Sequence, residues 1–268
     1  MTTFIKFGGS VITDKRTPEA PDVATIQLLA QAIATARSIA PLTRLLVSHG
    51  SGSYGHVAAA RYGIHKGLAP DADWFGYAVT SGAASRLNRI VVDALLAVDV
   101  PALTLQPSAT CETDKGAVVA WDTRHIQRAL TQRMIPVIHG DVAFDRSQGC
   151  SIASTELLLQ WLTKVPELTP TRIILVGESA VYTADPHTVP DAQRIPLITT
   201  NNITQVLGGA TGSHGVDVTG GMASKIRLMW SLITHHPQSD VVFIRPDPAL
   251  LIRAILRQDL SEGTVMQL

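Results

Sequence analysis

Thr3-Phe4-Ile5-Lys6-Phe7-Gly8-Gly9-Ser10 opens the chain with a short β-rich run that stops at two glycines. Its apolar residues are nearly continuous rather than alternating, which suits a strand covered on both faces. Runs at 44–48, 102–105, 135–139, 172–176 and 240–244 read as further strands. Helical patterns lie between them. Asp22 or Thr25 caps a helix carrying Ile26, Leu29, Ile33 and Ala36. A longer one after Asp73 places Phe75, Val79, Ala83, Leu87, Val91 and Leu95 near a 3.6 period. Asp122 or Thr123 starts one with Ile126, Leu130 and Met134, and Ser154 starts one with Leu157, Leu158 and Trp161. Thr219 opens one with Met222, Ile226, Met229 and Ile233, and Asp247-Pro248 opens the last. Strand–helix alternation predicts an α/β fold, a mainly parallel sheet with helices on both faces. Residues 163–171, with Pro166 and Pro170, read as the join between two halves.

Polar loops follow the strands: Gly8-Gly9-Ser10, His49-Gly50-Ser51-Gly52-Ser53-Tyr54-Gly55-His56, His139-Gly140-Asp141 and Gly177-Glu178-Ser179. Ligands of open parallel sheets bind beyond the carboxyl ends of the strands, so these loops predict one shared cleft. Glycine pairs let backbone N–H groups approach an anion. Lys6 lies inside a strand and Lys15 nine positions beyond it; two lysines in one cleft would make a polyphosphate site. Gly50-x-Gly52-x-x-Gly55 matches a dinucleotide fingerprint, with Asp71 or Asp73 near the required spacing, but 61–70 makes a poor strand. A phosphate cradle needs only the glycines, and His56 ends the loop as a candidate ligand contact. Gly215 to Lys225 presents Thr219-Gly220-Gly221 at a helix start, with Lys225 within reach of a bound phosphate. Tyr182 to Pro186 reads as a strand exit into a proline turn.

With 268 residues, 46% apolar and 16% charged, the chain can form a sizeable core. Lys+Arg and Asp+Glu are both 22, a balance with no general pull toward nucleic acid or anionic membrane. No apolar run approaches the roughly 18 residues of a membrane span. The immediate strand run argues against a signal peptide. Cys111 and Cys150 form no CxxC, and neither HExxH nor an Asp-rich metal loop occurs. The expected setting is soluble and cytoplasmic.

Together these motifs resemble the amino acid kinase superfamily, and within it the isopentenyl phosphate kinase family. The carriers are Ile5 to Lys15, His49 to His56, His139 to Asp145, Tyr182 to Pro186 and Asp217 to Lys225. The resemblance implies an open three-layer αβα sandwich and a homodimer. Residues 1–165 would bind the acceptor and residues 166–268 the nucleotide, within a single domain 1–268. The implied reaction is ATP-dependent phosphorylation of isopentenyl phosphate to the diphosphate, with Mg²⁺. Lys6 and Lys15 would bracket the transferring group, Lys15 as transition-state stabiliser. Gly8, Gly9, Ser10 and Gly52 would hold ATP phosphates. Tyr182, Asp185, Pro186, Gly221 and Lys225 would bind the nucleotide. His56 would hydrogen-bond the acceptor phosphate, Ser51, Gly55 and Thr155 would line the acceptor side, and Asp141 would orient the lysines. The chain departs from the family pattern at Ser51, at Ser154-Thr155-Glu156 and at Gly177 to Tyr182. Phe75, Val79 and Ala83 share a face that either lines an apolar tail pocket or, as periodicity alone favours, belongs to the core. The alternatives are a phosphonate kinase of the fosfomycin type, a non-catalytic nucleotide sensor and a dehydrogenase.

Overall fold

The computed structural model describes residues 1–69, 71–186, 188–210 and 221–268. The strands are β1 (Thr2–Phe7), β2 (Arg44–His49), β3 (Ala102–Thr104), β4 (Cys111–Asp114), β5 (Ala117–Trp121), β6 (Ile135–His139), β7 (Asp141–Asp145), β8 (Gly149–Ala153), β9 (Arg172–Val176), β10 (Leu197–Ile198), β11 (Asp240–Ile244) and β12 (Thr264–Met266). The helices are α1 (Gly9–Ile12), α2 (Val23–Ile39), α3 (Gly52–Arg61), α4 (Phe75–Leu96), α5 (Arg124–Thr131), α6 (Thr155–Thr163), α7 (Ile203–Ala210), α8 (Gly221–His235) and α9 (Pro248–Ile255). Asp22, Ser154 and Asp247 accept hydrogen bonds from first-turn N–H groups, as N-caps do. Asp217, Thr219 and Gly220 lie outside the described residues.

The main sheet runs β10-β12-β11-β9-β1-β2-β6-β3. All neighbours are parallel except β12 against β11. It has β1 near its centre and passes unbroken from the N-terminal strands to the C-terminal ones. Residues 163–171 therefore join α6 to β9 without separating two cores, and Leu168 among them is buried. Ile5, Phe7, Val47, Val137 and Ile174 pack on one face with α2, α4 and α9. Phe4, Leu46, Ile138, Ile173 and Leu175 pack on the other with α6 and α8. Burial of both faces explains the continuous apolar runs.

A second sheet, β5-β4-β7-β8, was not expected. Asp141 is the first residue of β7 rather than part of a loop. Asp145 anchors the connections of this sheet, accepting from Lys115, Gly116, Ser147 and Gln148 N–H groups. Among the described residues no strand lies between α3 and α4; the chain makes a 3₁₀ turn at Ile64–Lys66, and Asp73 accepts from Phe75 N–H at the start of α4. The strand–helix–strand unit of a dinucleotide fold is therefore missing there, which removes the dehydrogenase reading.

The loops at the carboxyl edge extend the ladder by one step each. Gly8 N–H donates to Val176, Gly50 N–H to Phe7, Gly140 N–H to His49 and Gly177 N–H to Ile244, at 2.8–3.0 Å. The first two loops touch backbone to backbone. A Cβ on Gly9 would stand 2.7 Å from Gly52 N and 2.8 Å from Gly52 Cα. Gly52 itself has φ +49°, a left-handed conformation, and its Cβ would strike the Thr13 side chain. Gly9→Ala should therefore lower stability by about 1–3 kcal/mol. Gly208→Ala, where a Cβ meets nothing within 4 Å, should not. Urea unfolding of both variants checks this, and equal midpoints would refute the close approach.

Candidate active site

Side-chain alternation in β1 decides which face receives Lys6. Phe4 and Lys6 share a face, and Phe4 packs with the α6 and α8 residues. Lys6 is 7% exposed, and an isolated buried ammonium is costly. Its partner is Glu156 in the first turn of α6, within ion-pair contact. A carboxylate is also favoured there by the helix dipole. Lys15 reaches the cleft from the opposite side and pairs with Glu178 at 3.4 Å. Both members of that pair are more than half exposed, so its contribution to stability is small.

Lys225 completes the cluster from α8. Its charge acts on both carboxylates, Glu156 and Glu178. Burial works against ionisation of Glu156, and the charge and hydrogen bond of Lys6, with the field of Lys225, outweigh it and leave the carboxyl below its ordinary value. A hydrogen bond from Ser10 does most to lower Glu178; burial opposes it, and Lys15 and Lys225 add to the lowering. Three ammonium groups thus gather around two carboxylates, a net of +1, at the edge where Gly8, Gly9 and Gly52 bring backbone together. Lysines 6, 15 and 225 thus act on these two carboxylates.

The two carboxylates were missed as partners. Asp141 does not hold the lysines; it is 3% exposed and accepts from Ser108 N–H at 3.2 Å and Val142 N–H at 2.8 Å. The start of β7 fixes it there, and the carboxylate that pairs with Lys6 is Glu156. Thr155 is not an exposed acceptor contact either. It is 1% exposed, and its hydroxyl donates to the His49 carbonyl at 2.8 Å. Ser51 precedes α3, and Gly55 leaves room for its side chain. His56 is exposed on α3. Gly221 begins α8 with φ +60°. Tyr182 and Pro186 line a cavity of about 310 Å³ with Glu178, Arg194, Arg245 and Glu262. Asp185 sits in the adjoining turn, its carbonyl accepting from Thr188 and Val189 N–H. The expected tail pocket does not form as a unit. Phe75 is 61% exposed and meets Tyr62 edge-on, while Val79 and Ala83 turn into the core.

The amino acid kinase family model matches residues 1–243. The chain belongs to the amino acid kinase family. Isopentenyl phosphate kinase of Methanothermobacter thermautotrophicus is 33% identical over 264 residues, 96% of each chain. The enzyme of that name from Methanocaldococcus jannaschii is 30% identical, over 85% of this chain and 86% of its own. A solved isopentenyl phosphate kinase structure superposes with a TM-score of 0.82 at 31% identity, covering all of both chains. The three-layer amino acid kinase fold is thus that of this chain. Its lysine cluster belongs to a phosphotransferase.

The Lys6–Glu156 pair gives a stability test. The folded Glu156 holds its proton less tightly than an unfolded glutamate, so the pair stabilises the protein above about pH 4.3 and is lost as the pH falls through the lowered value. Glu156→Gln should cost up to about 3 kcal/mol near neutrality. It should also narrow the gap between urea midpoints measured near neutral pH and below the glutamate range. A gap equal to that of the wild type would exclude Glu156 as its source.

Proposed function

We propose that this chain transfers the γ-phosphoryl group of Mg-ATP to isopentenyl phosphate, giving isopentenyl diphosphate. The kinship with isopentenyl phosphate kinases supports the acceptor, and the convergence of Lys6, Lys15 and Lys225 is the observation that carries the reading. Phosphoryl transfer passes through a loose transition state, so catalysis is mostly positioning and charge stabilisation. A phosphate monoester brings its own anionic nucleophile. No carboxylate base is needed, and the cluster contains none free of lysine partners.

Lys6 and Lys15 would exchange carboxylate for phosphoryl oxygens as the two anions enter. Lys15, being exposed, can move toward the transferring group, while Lys6 stays anchored by its strand. Gly8, Gly9, Ser10 and Gly52 would hold the ATP phosphates through backbone groups, and Lys225 would hold the phosphates from α8. Tyr182, Asp185 and Pro186 would border the nucleoside in the cavity they share with Arg245. Ser51 and His56 would take the acceptor phosphate. The cytoplasm and a homodimer are the setting we assign. No helix of the described residues is long and apolar enough to cross a membrane.

On the acceptor side, β7 leaves the Gly140 loop beside Ser51. Its Phe144 is 54% exposed and stacks on Tyr77 at 4.9 Å. We assign the prenyl tail to this aromatic surface. Phe144→Ala should raise kcat/KM for geranyl phosphate relative to isopentenyl phosphate; an unchanged ratio would place the tail elsewhere.

The reaction is tested by ADP release from Mg-ATP with isopentenyl phosphate, dimethylallyl phosphate, fosfomycin, acetylglutamate and UMP. Isopentenyl phosphate should be preferred, and preference for fosfomycin or silence on every acceptor would contradict the proposal. Lys15→Ala should lower the rate by about a hundred- to a thousandfold. His56→Ala should raise KM for isopentenyl phosphate with the KM for ATP nearly unchanged. An equal rise in both would assign His56 to the wrong substrate.

A further inference from the structure

On the face of the sheet opposite Lys6, the strand ends carry two buried histidines. His49 closes β2 and His139 closes β6, both 0% exposed, with rings 5.6 Å apart and 22° from parallel. Neither serves the lysine cluster by contact. A hydrogen-bonded chain runs to His49 from the helix and strand packed beside it. Thr104 Oγ1 donates to Asn88 Oδ1 at 2.7 Å, Asn88 Nδ2 lies 3.0 Å from His49 Nε2, and His49 Nδ1 lies 3.0 Å from the Gly50 carbonyl.

For a neutral ring only one protonation pattern satisfies all three links. The Thr104 hydroxyl is a donor here, so Asn88 turns its oxygen to Thr104 and its NH₂ to the ring. Nε2 must then accept, and Nδ1 must carry the hydrogen. A carbonyl oxygen only accepts, which agrees. The result bears on the acceptor loop because a trans peptide is planar, with C=O and N–H on opposite sides. Holding the Gly50 carbonyl on the ring turns the Ser51 N–H away from it. Neither Ser51 N–H nor Gly52 N–H donates to another described residue, whereas Ser53 N–H is held by Thr13 and Tyr54 N–H by the Ser51 carbonyl.

We infer that His49, set in its Nδ1–H form by Asn88 and Thr104, is a positioning residue that aims the Gly50–Ser51 peptide at the acceptor phosphate. This rests on the proposed reaction for its substrate, but the tautomer is a property of the protein alone. His139 repeats only the loop contact, its Nδ1 lying 3.2 Å from the Gly140 carbonyl, while its Nε2 has no hydrogen-bond partner among the described residues. The stacked pair has to stay neutral. Burial first, then the neighbouring His139, pushes His49 down to about 3; its bond to Gly50 opposes this, and Lys6 adds to it. Burial also lowers His139, against the pull of Asp141. The charged or titratable groups acting on His49 are therefore His139 and Lys6, and Asn88 and Thr104 are neutral.

A histidine that merely fills the core would tolerate either tautomer. Long-range ¹H–¹⁵N NMR of the imidazoles should find His49 protonated at Nδ1 alone in the wild type. Asn88→Asp places an acceptor on Nε2. The ring then takes its hydrogen there, or takes up a second proton, and neutral rings turn a lone pair on the Gly50 carbonyl. This variant should lose about a hundredfold in kcat/KM for isopentenyl phosphate and regain activity on acidification, with little change in KM for ATP. His49→Asn, whose amide can donate to Gly50 from near the Nδ1 position, should keep more activity than His49→Phe. An Nε2–H tautomer in the wild type would overturn the inference. So would equal activity of folded His49→Asn and His49→Phe. Wild-type inactivity on isopentenyl phosphate would instead count against the proposed reaction, with the NMR result still deciding the tautomer.

Discussion

A lysine ammonium inside a buried parallel strand requires an anion, and the rest of the site is arranged around that requirement. Alternation in β1 fixes the face on which Lys6 emerges. That face is covered by α6 and α8, so the anion and the next cation come from those helices. Glu156 meets Lys6 from the first turn of α6. Lys225 approaches both Glu156 and Glu178 from α8. Lys15 arrives through the loop after α1 and meets Glu178. The carboxylates thus keep like charges together in the free protein. In the proposed reaction two phosphate-bearing substrates would replace them.

Backbone does the complementary work. The glycine loops continue the parallel ladder beyond the strand ends, which holds them in register with the sheet. Gly9 and Gly52 approach closely enough that neither tolerates a Cβ. Donor groups of the acceptor loop would then be aimed from behind, through His49, while Lys6 and Lys225 act from the opposite face.

Much of this was legible in the sequence. Runs at 135–139, 172–176 and 240–244 coincide with β6, β9 and β11, because strands buried on both faces leave long apolar signals. Asp22, Ser154 and Asp247 announced their helices by cap chemistry. The second sheet left little trace. In β4 the buried residues are Cys111 and Thr113, a polar pattern, and its pairing with β7 spans distant segments. His139-Gly140-Asp141 read as a loop, yet only Gly140 separates two strands, and the Asp141 carboxylate accepts from Ser108 and Val142 N–H groups instead of pairing with a lysine. The three lysines followed from resemblance to a family. Their carboxylate partners did not, since Glu156 and the loop of Glu178 both lie where the chain departs from the family pattern, although Glu178 sits in a loop placed at the cleft. A glutamate two residues after the Ser154 cap was the available signal for the first.

The central claim is that one set of ammonium groups serves carboxylates in the free protein and phosphates in the reacting complex. The most direct test is a crystal structure with isopentenyl phosphate and a non-hydrolysable ATP analogue. The Nζ atoms of Lys6, Lys15 and Lys225 should then lie within about 2.7–3.2 Å of phosphate oxygens. Phosphates bound away from these lysines, with Lys6 still closed on Glu156, would contradict it.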